Sequence, residues 1–183
     1  MARLYLVRHG QAAAGWDVDP DPPLSDLGHE QAVAVAQRLA TLGPLPVVAS
    51  PLLRTRQTAS PLVQHWGMAS EIEPRVREIP SPPEVPEDER GPWLRRILFG
   101  TWAEADPWLL PWREGVLKGL MAMPQDVVVM THFVVINTAV GAALGDDRVM
   151  QFRPDNCSVT ILETDGERLT LVERGHEAET VVR

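Results

Sequence analysis

Short apolar runs, each of strand length and each ending abruptly in polar or glycine residues, alternate along this chain with stretches of helical character. The runs are Leu4–Val7, Leu45–Ala49 and Asp126–Met130. Strands that are apolar without alternation must be covered on both faces, and strands separated by helices pair in parallel. The expected fold class is therefore α/β, a three-layer sandwich with a mostly parallel sheet. Near the C-terminus, Cys157–Leu162 and Leu169–Glu173 flank Asp165-Gly166, a hairpin signal that adds an antiparallel edge strand. The 183 residues suffice for one domain with a sizeable core.

The first run leads directly into Arg8-His9-Gly10. In open α/β sheets the carboxyl ends of strands are where ligands bind. A guanidinium can fork onto two phosphate oxygens, an imidazole can attack phosphorus, and a glycine lets backbone approach without a Cβ.

Three further stretches extend this pattern. Leu24-Ser25-Asp26-Leu27-Gly28-His29-Glu30-Gln31-Ala32 opens a helix with Ser25 as its N-cap. Val35, Leu39 and Leu42 recur at helical spacing before Gly43-Pro44 stops it. Ser50-Pro51-Leu52-Leu53-Arg54-Thr55-Arg56-Gln57-Thr58-Ala59 follows the second run, with Ser50 expected as a cap and Pro61 as the end or a kink. Arg54 lies one turn inside, where the helix dipole favours an anion, whereas Arg56 lies about 200° further round. Thr131-His132-Phe133 follows the third run and opens a helix ending at Gly145. Glu71–Val76 reads as a further short strand with Glu78 just beyond it.

With these stretches in this order, the chain resembles the histidine phosphatase superfamily, the phosphoglycerate mutase-like proteins, along nearly its whole length. The resemblance implies the same fold. It also implies that His9 is a nucleophile carrying a transient phosphohistidine, and that Arg8, Arg54 and His132 hold the phosphoryl group. Val76-Arg77-Glu78 matches the family's Leu-x-Glu position, so Glu78 is the expected proton donor and Glu84 the alternative. Neighbouring guanidinium charges are expected to keep His9 unprotonated. Gly10, Gln11, Phe133, Ser50 and Asn156 are the expected binding residues. Phe133 stands where many relatives have glycine, and its ring should make one wall apolar.

Residues 80–92 hold five prolines and should be extended, and Trp93, Trp102, Trp108 and Trp112 follow in two helices broken at Gly100 and Pro107. The four tryptophans read as core anchors or as part of a cap over the site. The expected organisation is a single domain over 1–183 with a cap-like insertion at about 80–113. His29, His65 and His176 read as ordinary surface residues, and the tail after Gly175 as polar and mobile.

A net charge of -8 provides no basic face for nucleic acid or an anionic membrane. No run reaches the roughly 18 apolar residues of a membrane span. Cys157 is the only cysteine, which allows no intrachain disulfide and is expected in a strand. A cytoplasmic protein is expected, acting on a small phosphorylated substrate or a phosphoprotein. Oligomeric state stays open.

Other phosphate chemistries fit the letters poorly. Position 163 is Glu where a cysteine phosphatase would need Arg, and no Gly-x-x-x-x-Gly-Lys occurs. Asp17-Val18-Asp19 lacks a preceding strand that would make it an aspartyl-phosphatase pair. No metal-ligand cluster is apparent and no cofactor is expected, so the arginines must supply the charge. The expected activity is that of a metal-independent phosphatase of the histidine acid phosphatase type. A mutase, and a regulatory module that binds phosphorylated partners without turnover, are the alternatives.

Overall fold

The computed structural model describes residues 1–15 and 18–178. Asp17 of the Asp-x-Asp pair and positions 179–183 of the expected tail lie outside the described residues. Six strands form one sheet: β1 (Ala2–Arg8), β2 (Val47–Ala49), β3 (Glu71–Ile72), β4 (Val127–Thr131), β5 (Val159–Thr164) and β6 (Leu169–Glu173). Their order is β3-β2-β4-β1-β5-β6; β3, β2, β4 and β1 run parallel, while β5 is antiparallel to β1 and β6 to β5. The expected α/β sandwich is present, and its antiparallel edge is a complete hairpin.

Side chains of the central strands alternate between two cores, as the pleat requires. Tyr5, Val7, Val47, Ala49, Val128 and Met130 pack against α1 (Asp26–Leu39) and α2 (Leu53–Trp66). Leu4, Leu6, Val127, Val129 and Leu162 pack on the other face, against α4 (Leu110–Met121) and α5 (Phe133–Leu144). These two helical layers enclose the sheet. A third cluster joins α3 (Glu87–Leu98) and its neighbours Trp102 and Leu109 to Phe133 and Val134 at the start of α5.

Parallel pairing sets the register that builds the site. Arg8 pairs with Thr131, and Ala49 with Met130, so β1, β4 and β2 end side by side. His9, His132 and Ser50, each the first residue beyond its strand, therefore start from adjacent points on one edge.

Several local expectations differ from the structure. Leu42 falls in a 3₁₀ turn after α1 and is 39% exposed, because α1 already ends at Leu39. α2 continues through Pro61 to Trp66, since burying Leu62 and Val63 outweighs one lost backbone hydrogen bond. The strand expected over Glu71–Val76 is two residues long, because Pro74 starts a 3₁₀ turn. The segment 80–92 is not extended throughout: α3 begins at Glu87, with Glu87, Asp88 and Glu89 favouring its N-terminus, and passes through Pro92. Trp93 and Trp102 are buried, but Trp108 is 45% exposed and stacks on Trp93 with centroids 6.1 Å apart. Cys157 lies in a turn before β5 with φ +57°, not in the strand.

Candidate active site

At the end of β1 the backbone is held from both sides. His9 N–H donates to the Thr131 carbonyl at 3.0 Å, while the Cys157 N–H donates to the Arg8 carbonyl at 2.8 Å and Asn156 Nδ2 to the His9 carbonyl at 3.0 Å. Asn156, expected on the substrate, thus fixes the peptide that carries His9. Gly10 N–H donates to Thr58 Oγ1 at 3.0 Å.

The glycine at position 10 answers to packing. A Cβ there would meet the Gly28 carbonyl oxygen at 2.6 Å, and one on Gly28 would meet the Gln11 carbonyl oxygen at 2.1 Å. Two missing side chains let the loop after β1 lie against the first turn of α1. Ser25 caps that turn through Gly28 N–H at 3.0 Å and donates to Gln11 Oε1 at 2.8 Å, so Gln11 closes this junction.

His9 is buried, and Nδ1 lies 2.7 Å from the Gly10 carbonyl. A carbonyl can only accept, so Nδ1 carries the hydrogen and Nε2 the lone pair. Arg54 Nε–H donates to that lone pair at 3.2 Å. Burial first, then the charges of Arg54 and Arg8, lower the His9 pKa to about 3. The expected unprotonated ring is present, with burial ahead of the arginines as its cause.

Arg54, the second residue of α2, is 7% exposed and reaches both imidazoles. Its Nη2 lies 3.3 Å from His132 Nδ1, and its Nη1 is buried without a protein partner. Arg56 is exposed, as helical geometry requires. Arg8 donates from Nη1 to the Pro154 carbonyl at 2.8 Å and lies over the Phe133 ring, 5.3 Å from its centroid. Its Nε is likewise buried and unpartnered. Buried donors left without acceptors are rare, and here two belong to Arg8 and Arg54, the arginines whose charges act on His9. Phe133 is 7% exposed and serves as the floor under Arg8.

His132 is fully buried, with its ring 5.3 Å from that of His9. Its Nε2 lies 2.7 Å from Ser50 Oγ. Burial, then His9, Arg54, Arg8 and Arg77, hold its pKa well below the usual imidazole value. Ser50 is no side-chain cap for α2, whose N-cap is Leu52; the hydroxyl faces His132 and no atom of Ser50 is exposed to a ligand.

Glu78 is half-buried and accepts from Val134 N–H at 3.2 Å, at the first turn of α5. Burial raises its pKa, against the pull of the Ile79 and Val134 N–H groups and of Arg54 and Arg8. Glu84 is exposed, as are His29, His65 and His176.

Sequence reasoning missed four contributors. Thr55 and Thr58 share the inner face of α2 with Arg54, a spacing that was available as a signal. Asp21 accepts from Leu53 N–H at 2.8 Å and supplies the cap that Ser50 does not, and the Pro154 carbonyl anchors Arg8; both act through tertiary contact with no local pattern. Among the described residues no group of three or more His, Cys, Asp or Glu could hold a metal ion, and no helix is long and apolar enough to cross a membrane.

The two buried neutral histidines make a prediction about stability. Unfolded imidazoles bind protons near pH 6.5, whereas folded His9 binds one only at about 3 and His132 well below the usual value. Below pH 6.5 the unfolded state therefore holds more protons, and stability is lost as pH falls. Two such groups give a slope of roughly 3 kcal/mol per pH unit at most. Urea melts at pH 7 and pH 5 in phosphate-free buffer should show the midpoint falling, and a flat profile would contradict the buried neutral pair.

Comparison with known proteins agrees with this geometry. A sequence model of the histidine phosphatase superfamily (branch 1) matches residues 4–81. A Yersinia pestis (strain Pestoides F) protein named probable phosphoglycerate mutase GpmB is 34% identical over 113 residues, 55% of this chain and 52% of that protein. The chain thus spans about half the length of the curated relatives it matches. The mycobacterial glucosyl-3-phosphoglycerate phosphatase structure with VO3 superposes with TM-score 0.71 at 25% identity, covering 97% of this chain and 100% of that one. Bacillus stearothermophilus YhfR has the same fold, with TM-score 0.80 at 21% identity over 97% of this chain and 98% of that one. The chain is thus similar in sequence to the histidine phosphatase superfamily over residues 4–81, and in fold to these solved structures over nearly its whole length.

Proposed function

We propose that this protein is a metal-independent phosphatase that hydrolyses a phosphomonoester, or a phosphorylated side chain, through a phosphohistidine on His9. The observation that carries this reading is the single Arg54 guanidinium bridging the His9 Nε2 lone pair at 3.2 Å and His132 Nδ1 at 3.3 Å, with Nη1 unpartnered. In the first step His9 Nε2 attacks phosphorus in line and the ester P–O bond breaks. Arg8 and Arg54 stabilise charge on the equatorial oxygens, and the Glu78 carboxyl gives its proton to the departing oxygen. In the second step water attacks phosphorus, the N–P bond breaks, and the Glu78 carboxylate takes the water's proton. The raised pKa of Glu78 suits a group that alternates between acid and base.

Segment 80–113 is read as a cap that selects the substrate, because its cluster packs against Phe133 and Val134 beside Arg8 and Glu78. The glucosyl-3-phosphoglycerate phosphatase neighbour supports a small anionic substrate. The mutase name of the curated relatives supports a second reading, in which the phosphoryl group returns to an organic acceptor before water arrives.

One experiment addresses both. Rapid quenching after mixing with ³²P-labelled p-nitrophenyl phosphate should yield labelled protein that resists base and loses its label in acid, then decays to inorganic phosphate in water. Label that leaves only for an added phosphomonoester would favour the mutase, and turnover without any labelled protein would refute the phosphohistidine route.

A further inference from the structure

The hydrogen on Ser50 can be placed from geometry alone. Thr55 Oγ1 lies 2.8 Å from the Leu52 carbonyl and 3.0 Å from the Ser50 carbonyl, and both can only accept. The Thr55 hydroxyl hydrogen is therefore committed to them. Thr55 Oγ1, 2.9 Å from Ser50 Oγ, must then accept the Ser50 hydrogen. Leu52 N–H donates to Ser50 Oγ at 3.2 Å. The remaining neighbour, His132 Nε2 at 2.7 Å, has to be a donor.

The opposite side of the ring gives the same answer independently. Arg54 Nη2 has no acceptor capacity and stands 3.3 Å from His132 Nδ1. His132 in the free protein is thus neutral, with its hydrogen on Nε2 and a lone pair on Nδ1 facing Arg54. That arrangement cannot donate a hydrogen bond to a phosphoryl oxygen. The charged and titratable groups acting on the ring are His9 and Arg8 at the end of β1, Arg54 on α2, and Arg77; β4 and α5 carry none. Glu78, the nearby carboxylate, acts on Arg8 and Arg54. Cations therefore oppose a second proton until an anion arrives among them.

We propose that His132 takes up a proton from solvent on Nδ1 when a tetrahedral dianion enters the site, and that Ser50 is the positioning residue that makes Nδ1 the receiving atom. The inference rests on the phosphoryl-site reading above. The new Nδ1–H donates to an anion oxygen, the Nε2–H bond to Ser50 is kept, and the proton returns to solvent when the anion leaves. Binding should consequently tighten as pH falls through the neutral range.

Sulfate tests this, because it is a tetrahedral dianion that does not titrate near neutral pH. The full chain, with ¹⁵N-labelled histidine, is titrated with sodium sulfate at pH 7.5. The His132 signals should change from one protonated and one bare nitrogen to two protonated nitrogens. Calorimetry in buffers of different ionisation enthalpy should report uptake of about one proton per sulfate. In Ser50→Ala, where Arg54 still faces Nδ1 but the Nε2–H has lost its acceptor, proton uptake should be reduced and the acid limb of kcat/KM displaced. If that variant does not fold, the wild-type spectra alone decide. Sulfate bound with His132 still neutral, or uptake traced to Glu78 by its loss in Glu78→Gln, overturns the proposal and leaves the phosphatase reading standing. Sulfate that shifts neither His9 nor His132 overturns both.

Discussion

Alanine at position 9 should abolish any labelled intermediate and lower kcat/KM on p-nitrophenyl phosphate by about 10⁴-fold or more. The size follows from what the ring alone provides. His9 Nδ1–H is anchored on the Gly10 carbonyl at 2.7 Å, so Nε2 points its lone pair at the place held by Arg54. With a pKa of about 3 the ring is fully unprotonated at neutral pH, and no fraction of the protein is lost to the imidazolium form. No neighbour can substitute. The His132 ring centroid is 5.3 Å away and its Nε2 is committed to Ser50. The arginines would still bind an anion, so the variant should retain phosphate binding while losing turnover. Steady-state kinetics with phosphate inhibition, beside a thermal melt to confirm folding, measure this directly; rates equal to wild type would remove the nucleophile from the mechanism.

Much of this site can be read from the letters because its parts are strand ends. An apolar run followed by Arg8-His9, Ala49-Ser50 or Thr131-His132 marks where a buried strand emerges, and parallel pairing places neighbouring strand ends together. The helix carrying Arg54 could be placed for a similar reason, since one face must meet the sheet and Arg54 shares that face. The parts that could not be read depend on contacts between distant segments. Pro61 suggests an end or a kink and the prolines of 80–92 an extended segment, yet α2 runs through Pro61 and α3 through Pro92. Gly10 reads as room for a ligand, and only the approach of Gly28 shows that it is room for a helix. Ser50-Pro51 has the letters of an N-cap, but Asp21 from another loop supplies that cap and frees the hydroxyl for His132.

Removing Arg54 should be the next most damaging change, lowering kcat of Arg54→Ala by about 10³-fold, or roughly 4 kcal/mol of transition-state stabilisation. Arg56→Ala, two residues along the same helix but exposed, should stay within about twofold of wild type. Arg54 makes more than a charge contribution: its Nε and Nη2 are aimed by a planar fork at two different rings, at 3.2 Å and 3.3 Å. A lysine presents one point charge from a flexible stem, so Arg54→Lys should recover little of the loss. The alanine variant should also carry a distinctive pH signature. Arg54 is, after burial, the largest influence depressing the His9 pKa. Without it the ring binds a proton more readily, and the acid limb of the residual kcat/KM should move to higher pH. If Arg54→Ala and Arg56→Ala behaved alike, or the acid limb stayed in place, the guanidinium would not be acting on His9. A general loss of folding would lower activity without moving that limb, so the pH profile separates an electrostatic role from a structural one.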